Sequence, residues 1–577
     1  MEARAGARVL SVALAIALFG QAPQPVGDQR LRALSMRYFA ELWETDPIRA
    51  TGVGVHDYDG KLPDFSAAAF AARASSIRHY LGDLAAIDPN SLGAEGSYDR
   101  RIFEANLQTS LISLQTLAAW RHDPSYYTSR LANAAYGLLA RDFAPLRSRE
   151  QSLLDRERLM PAALDTARAN IEGVDPVTAD LARRSIAGTI DFFASAVPAA
   201  VEPAAPPAFV AQFKVANDAV VAALHGYDEA MEAGPFAHPI GTYAIGPALY
   251  EKLLALQELE PIPLATYERL GQSALRQTEA EFVSTAARID PKSSPREVAA
   301  ALGTVHPSPA DLLKAAANDI AALRAFVIAR KILTLPADDD VQVVPTPQFA
   351  RQTTFASINV TGPLEKTASV AYFEITPAEA DWSPERREEH LAFFNDYALP
   401  LISVHEVMPG HYVNFALDRH EQLSPIRRLL PSKTFAEGWA HYAEQMMVDE
   451  GWGQGDPHVR LAQLQLALQR ECRYLVGLRE HTEGMTVAEA TRFFEEHAFM
   501  GEEPARREAL RGTQDPLYGY YTLGKLELLK LRDDFKKAAG SEYSLEAFHD
   551  QLLDHGDPPI AIARKIVLGA DDDGKLL

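Results

Sequence analysis

The chain has 577 residues, with 78 acidic and 56 basic side chains and a formal net charge of −22 at pH 7. Hydrophobic residues make up 47% and charged residues 23%, which excludes a collagen, a coiled-coil rod, a mainly disordered chain and a polytopic membrane protein. The acidic balance argues against a nucleic-acid partner, because phosphate binding needs a basic surface. A single cysteine excludes an internal disulfide.

Residues 1–22 have the pattern of a secretory signal peptide. Arg4 and Arg8 precede an apolar run, Val9 to Gly20, that is too short to span a bilayer comfortably. We therefore expect the mature protein, residues 23–577, to be periplasmic or secreted, without stable membrane insertion. The alternative is a retained single anchor. No cysteine follows the run, so a lipoprotein anchor is not expected.

Most of the mature chain is predicted to be helical, because apolar residues recur at intervals of three and four. Residues 458–481 are a clear example, and we expect Cys472 to be a buried hydrophobic residue on the apolar stripe of that helix. The members of this stripe are Leu461, Leu464, Leu468, Cys472 and Leu475.

The character of the sequence changes near residue 345. Ala337 to Pro347 is acidic and then rich in proline, and Thr367 to Thr376 is the clearest strand pattern in the chain. We expect one catalytic unit, with an N-terminal helical lobe of about residues 23–345 and a metal-site lobe of about residues 346–577.

Two segments of the second lobe carry side chains of the kind found in zinc hydrolases. Residues 405–411 read HEVMPGH, and residues 435–444 read FAEGWAHYAE. A catalytic zinc site needs three neutral or anionic ligands and an open position for water, and a nearby carboxylate takes the proton from that water. His405, His411 and Glu437 match this requirement for one Zn²⁺ ion, with Glu406 adjacent.

The spacing of the two histidines differs from the usual interval of four residues. Six residues place them roughly 120° apart on a regular helix, so both cannot face one ion unless the helix is distorted. Pro409 and Gly410 lie between them, and both residues permit such a distortion. We predict a kink or π-bulge that turns His411 back toward His405. Otherwise the two histidines are incidental residues at a helix end.

The helix predicted around Glu437 has further polar residues on the same face. Glu437, His441 and Glu444 follow one another at intervals of four and three. Glu437 is the predicted third ligand, and His441 is an alternative ligand. Glu444 is expected either to hold a ligand imidazole from behind or to be a solvated acid.

These two blocks resemble a bacterial family catalogued as domain of unknown function 885, which looks like a zinc-peptidase relative of the gluzincin group. The resemblance extends to residues 46–59 and 516–532, and so to nearly the whole mature chain. It implies a mainly α fold, large and metallopeptidase-like, with a deep central cleft; the predicted strand adds a small β-sheet near the metal site. By position it implies His405, His411 and Glu437 as metal ligands and Glu406 as general base.

Five other side chains are candidates for contact with substrate. Tyr521 matches a tyrosine of the family and is the predicted donor to the oxyanion that amide cleavage develops, with His481 as a second candidate. Tyr520 belongs to a tyrosine cluster that either lines a substrate wall or packs in the core. The strand at 367–376 could bind an extended peptide, with Tyr372 lining the cleft. Arg473 could clamp a terminal carboxylate, or form a structural salt bridge.

We therefore expect an exported zinc-dependent hydrolase whose substrate is a peptide or a small amide. Zinc lowers the pKa of its water toward about 7, and Glu406 takes the proton and returns it to the leaving amine. Two alternatives remain. One is a catalytically inactive peptide-binding protein that keeps the fold, and the other is a helical scaffold without a metal.

Overall fold

The computed structural model describes residues 25–203, 205–336, 340–347, 351, 354–379, 382–419, 422–570, 572 and 577. The predicted signal peptide lies outside these residues. Helices predominate in the described ranges, as the sequence predicted. None of these helices combines the length and the apolar character needed to cross a bilayer.

Helices α1 to α26 follow one another along the described chain, and a small sheet separates the first fifteen from the rest. The helices before the sheet are α1 (Val26–Thr45), α2 (Pro47–Val53), α3 (Ala67–Ala85), α4 (Ala94–Ile112), α5 (Ala119–His122), α6 (Ser125–Leu139), α7 (Leu146–Glu157), α8 (Met160–Asn170), α9 (Pro176–Asp191), α10 (Val197–Val201), α11 (Pro207–Ala233), α12 (Pro247–Glu258), α13 (Leu264–Ile289), α14 (Pro295–Leu302) and α15 (Leu312–Arg330). The helices after it are α16 (Pro384–Phe393), α17 (Leu399–Glu406), α18 (His411–Asp418), α19 (Pro425–Leu429), α20 (Lys433–Asp449), α21 (Pro457–Thr482), α22 (Val487–His497), α23 (Glu502–Gln514), α24 (Tyr520–Ala539), α25 (Leu545–Leu553) and α26 (Ile560–Leu568).

The sheet has the strand order β1-β3-β2, with β1 (Val341–Pro345), β2 (Ala356–Asn359) and β3 (Ala371–Ile375). β1 runs parallel to β3, and β2 runs antiparallel to it with Ile358 opposite Phe373. β3 lies within the strand predicted at 367–376, so the small sheet is confirmed. The central position of β3 in the sheet was not predicted. Because β3 is central, β2 is an edge strand, and it lies beside α17.

Among the described residues, four large apolar clusters and a small group of three tyrosines, Tyr518, Tyr520 and Tyr521, form the core. One buries the sheet against α15, α17, α20 and α24 to α26, and a second fills the interior of the N-terminal helices α6 to α11. A third packs α12 to α14 against α21 to α23. The fourth joins α1, α3 and α4 to α19, so apolar packing crosses residue 345. The two lobes stay a prediction.

The helix predicted at 458–481 is α21, which begins at Pro457 and ends at Thr482. All five residues of the predicted apolar stripe are buried, and Cys472 is among them. The periodic pattern therefore identified this helix and its buried face correctly.

Helices α20 and α24 touch backbone to backbone through two glycines. A Cβ atom on Gly438 would lie 2.6 Å from Cα of Gly524, and one on Gly524 would lie 2.1 Å from the carbonyl oxygen of Thr434. Neither position has room for a side chain. Because Glu437 and Tyr521 lie close to these glycines in the sequence, the contact brings both onto neighbouring helix surfaces.

Two surface depressions lie on the N-terminal helices. One runs along α7, α8 and α11 beside Glu157, and the other lies between α10 and α11. Neither is lined by a residue of the predicted metal site, so the deep central cleft stays a prediction.

Candidate metal centre

The interval between the two histidines is where one helix ends and the next begins. α17 ends at Glu406 and α18 begins at His411, with a cis peptide bond before Pro409. The kink or π-bulge predicted within one helix is therefore a complete break between two helices. The imidazole rings of His405 and His411 lie 4.8 Å apart between centroids and are nearly perpendicular, at 86°.

Close backbone contacts hold this connection in place. The N–H of Gly410 donates to the carbonyl of Val404 at 2.9 Å. A Cβ atom on Gly410 would lie 1.9 Å from the carbonyl oxygen of His405, so only glycine fits there. The indole N–H of Trp439 on α20 donates to the carbonyl of Pro409 at 3.0 Å. The connection is thus fixed from both sides, and His411 with it.

The three predicted ligands converge. Oε2 of Glu437 lies 3.3 Å from Nε2 of His411 and 3.7 Å from Nε2 of His405, and the three ligand atoms all lie within 4.8 Å of one another. Tetrahedral zinc with bonds of roughly 2.0–2.2 Å separates its ligand atoms by about 3.3–3.6 Å. Among the residues that the structure describes, no other group of three meets this proximity. The donor set therefore fits one zinc ion.

Glu444 binds the opposite side of the His405 ring. Nδ1 of His405 donates to Oε1 of Glu444 at 2.7 Å, and the guanidinium of Arg470 contacts the same oxygen at 2.8 Å. Glu444 is fully buried. Because the proton on Nδ1 faces Glu444, the lone pair of Nε2 remains free for an ion.

The site combines one fixed negative charge with two imidazoles. Burial alone would raise the pKa of Glu437, but His411 and His405 lower it well below its usual range. Burial and Arg470 lower the pKa of His405, but Glu437 and Glu444 outweigh them and raise it to about 9. A metal ion and a proton would therefore compete for His405. The side chain of Glu437 is 21% exposed, so the site is open to solvent on that side.

His441 lies behind the ligands and not among them. It is fully buried, and its Nδ1 is 3.4 Å from Oε2 of Glu444. Burial, followed by the charge of Lys525, holds its pKa well below its usual range, so the ring is neutral. Its nitrogens are not part of the converging group, which argues against the alternative that His441 is a ligand.

Glu406 is the last residue of α17 and remains partly exposed. Its Oε2 accepts a hydrogen bond at 3.0 Å from the main-chain N–H of Ile358 on the edge strand β2. The carboxylate next to His405 is therefore held by the sheet, and its other oxygen has no hydrogen-bond partner among the described residues.

Tyr521 lies at the rim of the same group. Its ring centroid is 6.4 Å from that of His405, and its hydroxyl accepts a hydrogen bond at 3.0 Å from Arg511. Burial and the nearby Glu437 raise the pKa of Tyr521, so the phenol keeps its proton. Because Arg511 occupies a lone pair of the oxygen, the phenolic hydrogen can point elsewhere.

Two predicted substrate contacts have other partners within the protein. Arg473 forms two hydrogen bonds with Glu508, at 2.6 and 2.8 Å, so its guanidinium forms the structural salt bridge that was the alternative. The hydroxyl of Tyr520 donates to Asp515 at 2.9 Å, and the ammonium of Lys433 lies 4.0 Å from the centre of its ring. These contacts correct the expectation that Arg473 clamps a carboxylate.

The positions of His481 and Tyr372 also differ from the expectation. His481 is 1% exposed, and its Nε2 hydrogen-bonds the carbonyl of Gly512 at 2.9 Å. The ring therefore has a structural role as a buried link between α21 and α23. Tyr372 lies on β3, whose two edges are already paired, opposite Gln342 and Asn359. A central strand cannot pair with a peptide, which corrects the role given to the strand at 367–376.

Three groups at the site were not predicted from the sequence. Arg470 lies three residues before Arg473 on α21 and contacts Glu444. A buried carboxylate needs a cationic partner, so a prediction that Glu444 is buried would have indicated such a residue. Ile358 acts through its main chain, which no residue type reveals. Arg511 lies on the polar helix α23, where a solvated arginine is the ordinary expectation.

Two solved structures are similar to this chain along nearly its whole length. No curated protein matches it. One similar solved structure is a candidate lipoprotein of unknown function from Shewanella oneidensis, with 24% identity, a TM-score of 0.78, and coverage of 93% of this chain and 99% of the other. Another is a candidate lipoprotein from Colwellia psychrerythraea, with 16% identity, a TM-score of 0.79, and coverage of 94% and 99%. These likenesses concern the fold.

A family match covers most of the sequence. Residues 47–567 match the family described as bacterial protein of unknown function, DUF885. The matched range includes the three predicted ligands and the helices that carry them. The chain is therefore a member of the DUF885 family.

Proposed function

We propose that the protein is an exported zinc-dependent hydrolase of the metallopeptidase type that cleaves peptide or related amide bonds. The observation that carries the proposal is the convergence of His405, His411 and Glu437 within 4.8 Å, with Glu406 adjacent. Two imidazoles and one carboxylate are a ligand set of catalytic zinc, because a fourth position remains for water.

Each side chain around the cluster has a separate role in the proposed amide hydrolysis. A zinc ion held there would supply Lewis acidity and acidify a water molecule. Glu406, fixed by the N–H of Ile358, accepts the proton and returns it to the leaving amine. Tyr521 donates its phenolic hydrogen to the oxygen on which negative charge develops.

The edge strand supports a peptide as the substrate class. β2 is paired with β3 along one edge, and its other edge lies beside Glu406. The carbonyl of Ile358 points in the same direction as its N–H, as in any strand. An extended substrate could therefore add to this edge next to the general base. A substrate cleft between β2 and the rim at Tyr521 is part of the proposal.

Export rests on two features of the chain and its relatives. Residues 1–22 have a signal-peptide pattern, and two similar solved structures are described as candidate lipoproteins. Both are consistent with a protein that acts outside the cytoplasm.

The proposal is tested by metal content together with a peptide-library digest, run on the wild-type protein and on Glu406→Gln. We expect one zinc ion per chain in both proteins and cleavage by the wild type alone. Glu388→Gln is the control, since this glutamate pairs with His306 at the surface. Absence of zinc would refute the metal site. Stoichiometric zinc with intact peptides would favour the inactive peptide-binding protein.

A further inference from the structure

Three arginines surround Tyr521 at the rim of the predicted metal cluster, and they differ in whether a carboxylate neutralises them. Arg470 contacts Glu444, and Arg473 contacts Glu508 through two hydrogen bonds. Both charges are therefore balanced within the protein. Arg511, by contrast, forms no ion pair with any carboxylate among the residues that the structure describes. The site thus carries one cation that the fold does not neutralise by direct contact.

This guanidinium is held in a defined orientation. Arg511 lies over the ring of Tyr518, 5.0 Å from its centre, and Nη2 donates to the hydroxyl of Tyr521 at 3.0 Å. The cation–π contact and one hydrogen bond hold the guanidinium between two tyrosines, yet the residue as a whole is exposed. A guanidinium has five N–H donors in a rigid fork, and a carboxylate can accept two of them at once. The geometry is that of an anchor for an anion that arrives from solvent.

The anchor is close to the metal ligands. The ring of Tyr521 lies 6.4 Å from that of His405, and its hydroxyl is the atom that Arg511 contacts. The path from His405 through Tyr521 to Arg511 is therefore no longer than a few residues of extended peptide, at roughly 3.3–3.6 Å per residue. An anion bound to Arg511 would therefore lie a short way along the substrate from the bond at the metal.

We infer that Arg511 binds the free C-terminal carboxylate of a peptide substrate, so that the protein cleaves within a few residues of the C-terminus. This inference rests on the proposed function, because it places the cleaved bond at the metal cluster. It assigns the carboxylate to Arg511 instead of Arg473, whose guanidinium is already bound to Glu508.

The test measures equilibrium binding, which does not need turnover. Zinc-loaded Glu406→Gln protein is titrated by calorimetry with acetyl-Ala-Ala-Phe-Ala as the free acid and as its C-terminal amide. We expect the acid to bind at least about 10-fold more tightly, since one charge-assisted bidentate contact contributes on that order. Adding Arg511→Gln should remove the preference for the acid and leave the affinity for the amide unchanged.

Arg507→Gln is the matched control, because Arg507 is an exposed arginine one turn earlier on α23 that lies over the ring of Phe355. It should keep the preference for the acid. Equal affinity of the two peptides, or an equal loss for both in Arg511→Gln, would overturn the inference. An acid preference that depends on Arg511, in a wild type that cleaves no peptide, would instead overturn the proposed hydrolase and leave the anchor standing.

Discussion

Glu444 holds His405 from the side opposite the predicted ion site: its Oε1 lies 2.7 Å from Nδ1 of the imidazole. The same oxygen is 2.8 Å from Arg470, so the carboxylate is itself fixed by a buried cation. The ring can neither rotate nor move its proton to Nε2 without breaking this contact. The orientation of the His405 ring is therefore determined by Glu444, which is not itself a member of the predicted ligand group.

Glu444→Gln should weaken zinc binding by about 10- to 100-fold, because the amide removes the charge that orients His405 and makes it a stronger ligand. Equilibrium dialysis against buffered zinc measures the change. Glu471→Gln is the control, since Glu471 is buried on α21 but hydrogen-bonds Thr278. If both variants lost zinc equally, general destabilisation would explain the result and not the contact with His405.

Gly410→Ala should lower the free energy of unfolding by about 1–3 kcal/mol and reduce zinc content, because the new Cβ would overlap the carbonyl of His405. Thermal unfolding and elemental analysis measure the two effects. Gly226→Ala within α11 is the control, since no atom lies within 4 Å of a Cβ placed there. That variant should be as stable as the wild type or up to about 1 kcal/mol more stable. A Gly410→Ala protein that keeps its zinc and stability would contradict the close contact.

Tyr521→Phe should reduce peptide turnover by roughly 10²- to 10³-fold and leave the zinc content unchanged, because it removes a donor to the developing oxyanion. Tyr520→Phe removes a hydroxyl of the adjacent tyrosine that already donates to Asp515, so turnover should change little. The comparison uses single-turnover rates on one peptide. Greater loss in Tyr520→Phe than in Tyr521→Phe would reverse the assignment of the two tyrosines.

Metal removal should destabilise the protein, because an ion that binds the folded chain stabilises it by RT ln(1 + [L]/Kd), about 2.7 kcal/mol when free zinc is 100 times Kd. A chelator should therefore lower the melting temperature of the wild type, and added zinc should restore it. His411→Ala lacks a ligand and should melt at one temperature with and without the chelator. An unchanged wild-type melting temperature would count against a tightly bound ion.

Glu157→Gln should reduce the dependence of stability on pH. Burial raises the pKa of Glu157 to about 9, and neither of its oxygens has a hydrogen-bond partner among the described residues. Between its ordinary value and about 9 the folded protein holds a proton that the unfolded chain releases. Stability should therefore fall as pH rises, by up to about 1.4 kcal/mol per pH unit from this group.

Denaturant unfolding at several pH values between about 5 and 9 measures the slope, which Glu157→Gln should flatten. Asp155→Asn is the control, because it removes an acid from the same helix whose side chain is 44% exposed. Identical slopes in the wild type and Glu157→Gln would mean that Glu157 ionises in the folded protein.

The approach of His405 and His411 to each other was predictable because the information lies in one short segment. The interval between His405 and His411 required a break, and Pro409 and Gly410 lie where the break occurs. The apolar stripe of α21 was likewise readable from its period. Each inference needed residues close together in one segment and a known helix geometry.

Pairings between distant segments could not be predicted in this way. Arg473 is bound by Glu508 from another helix, and no pattern on α21 distinguishes that partner from a substrate. β3 is the central strand because two weaker strands flank it, and one of them, β2, has no alternating pattern. Long-range contacts decided both roles: Arg473 forms the salt bridge that was one of its two alternatives, and the strand differs from the expectation.

Glu437 and Glu444 belong to one helix, two turns apart, and both act on His405 of another helix, one at each ring nitrogen. One helix therefore contacts both ring nitrogens of His405, so the geometry of the predicted metal site depends on how α20 is rotated relative to α17. Inserting one residue between the two glutamates would rotate one of them by about 100° about the helix axis. Whichever glutamate kept its position, the other would lose its contact with the His405 ring. If the predicted site holds zinc, its affinity would depend on the register of α20, and insertions within residues 437–444 should abolish metal binding.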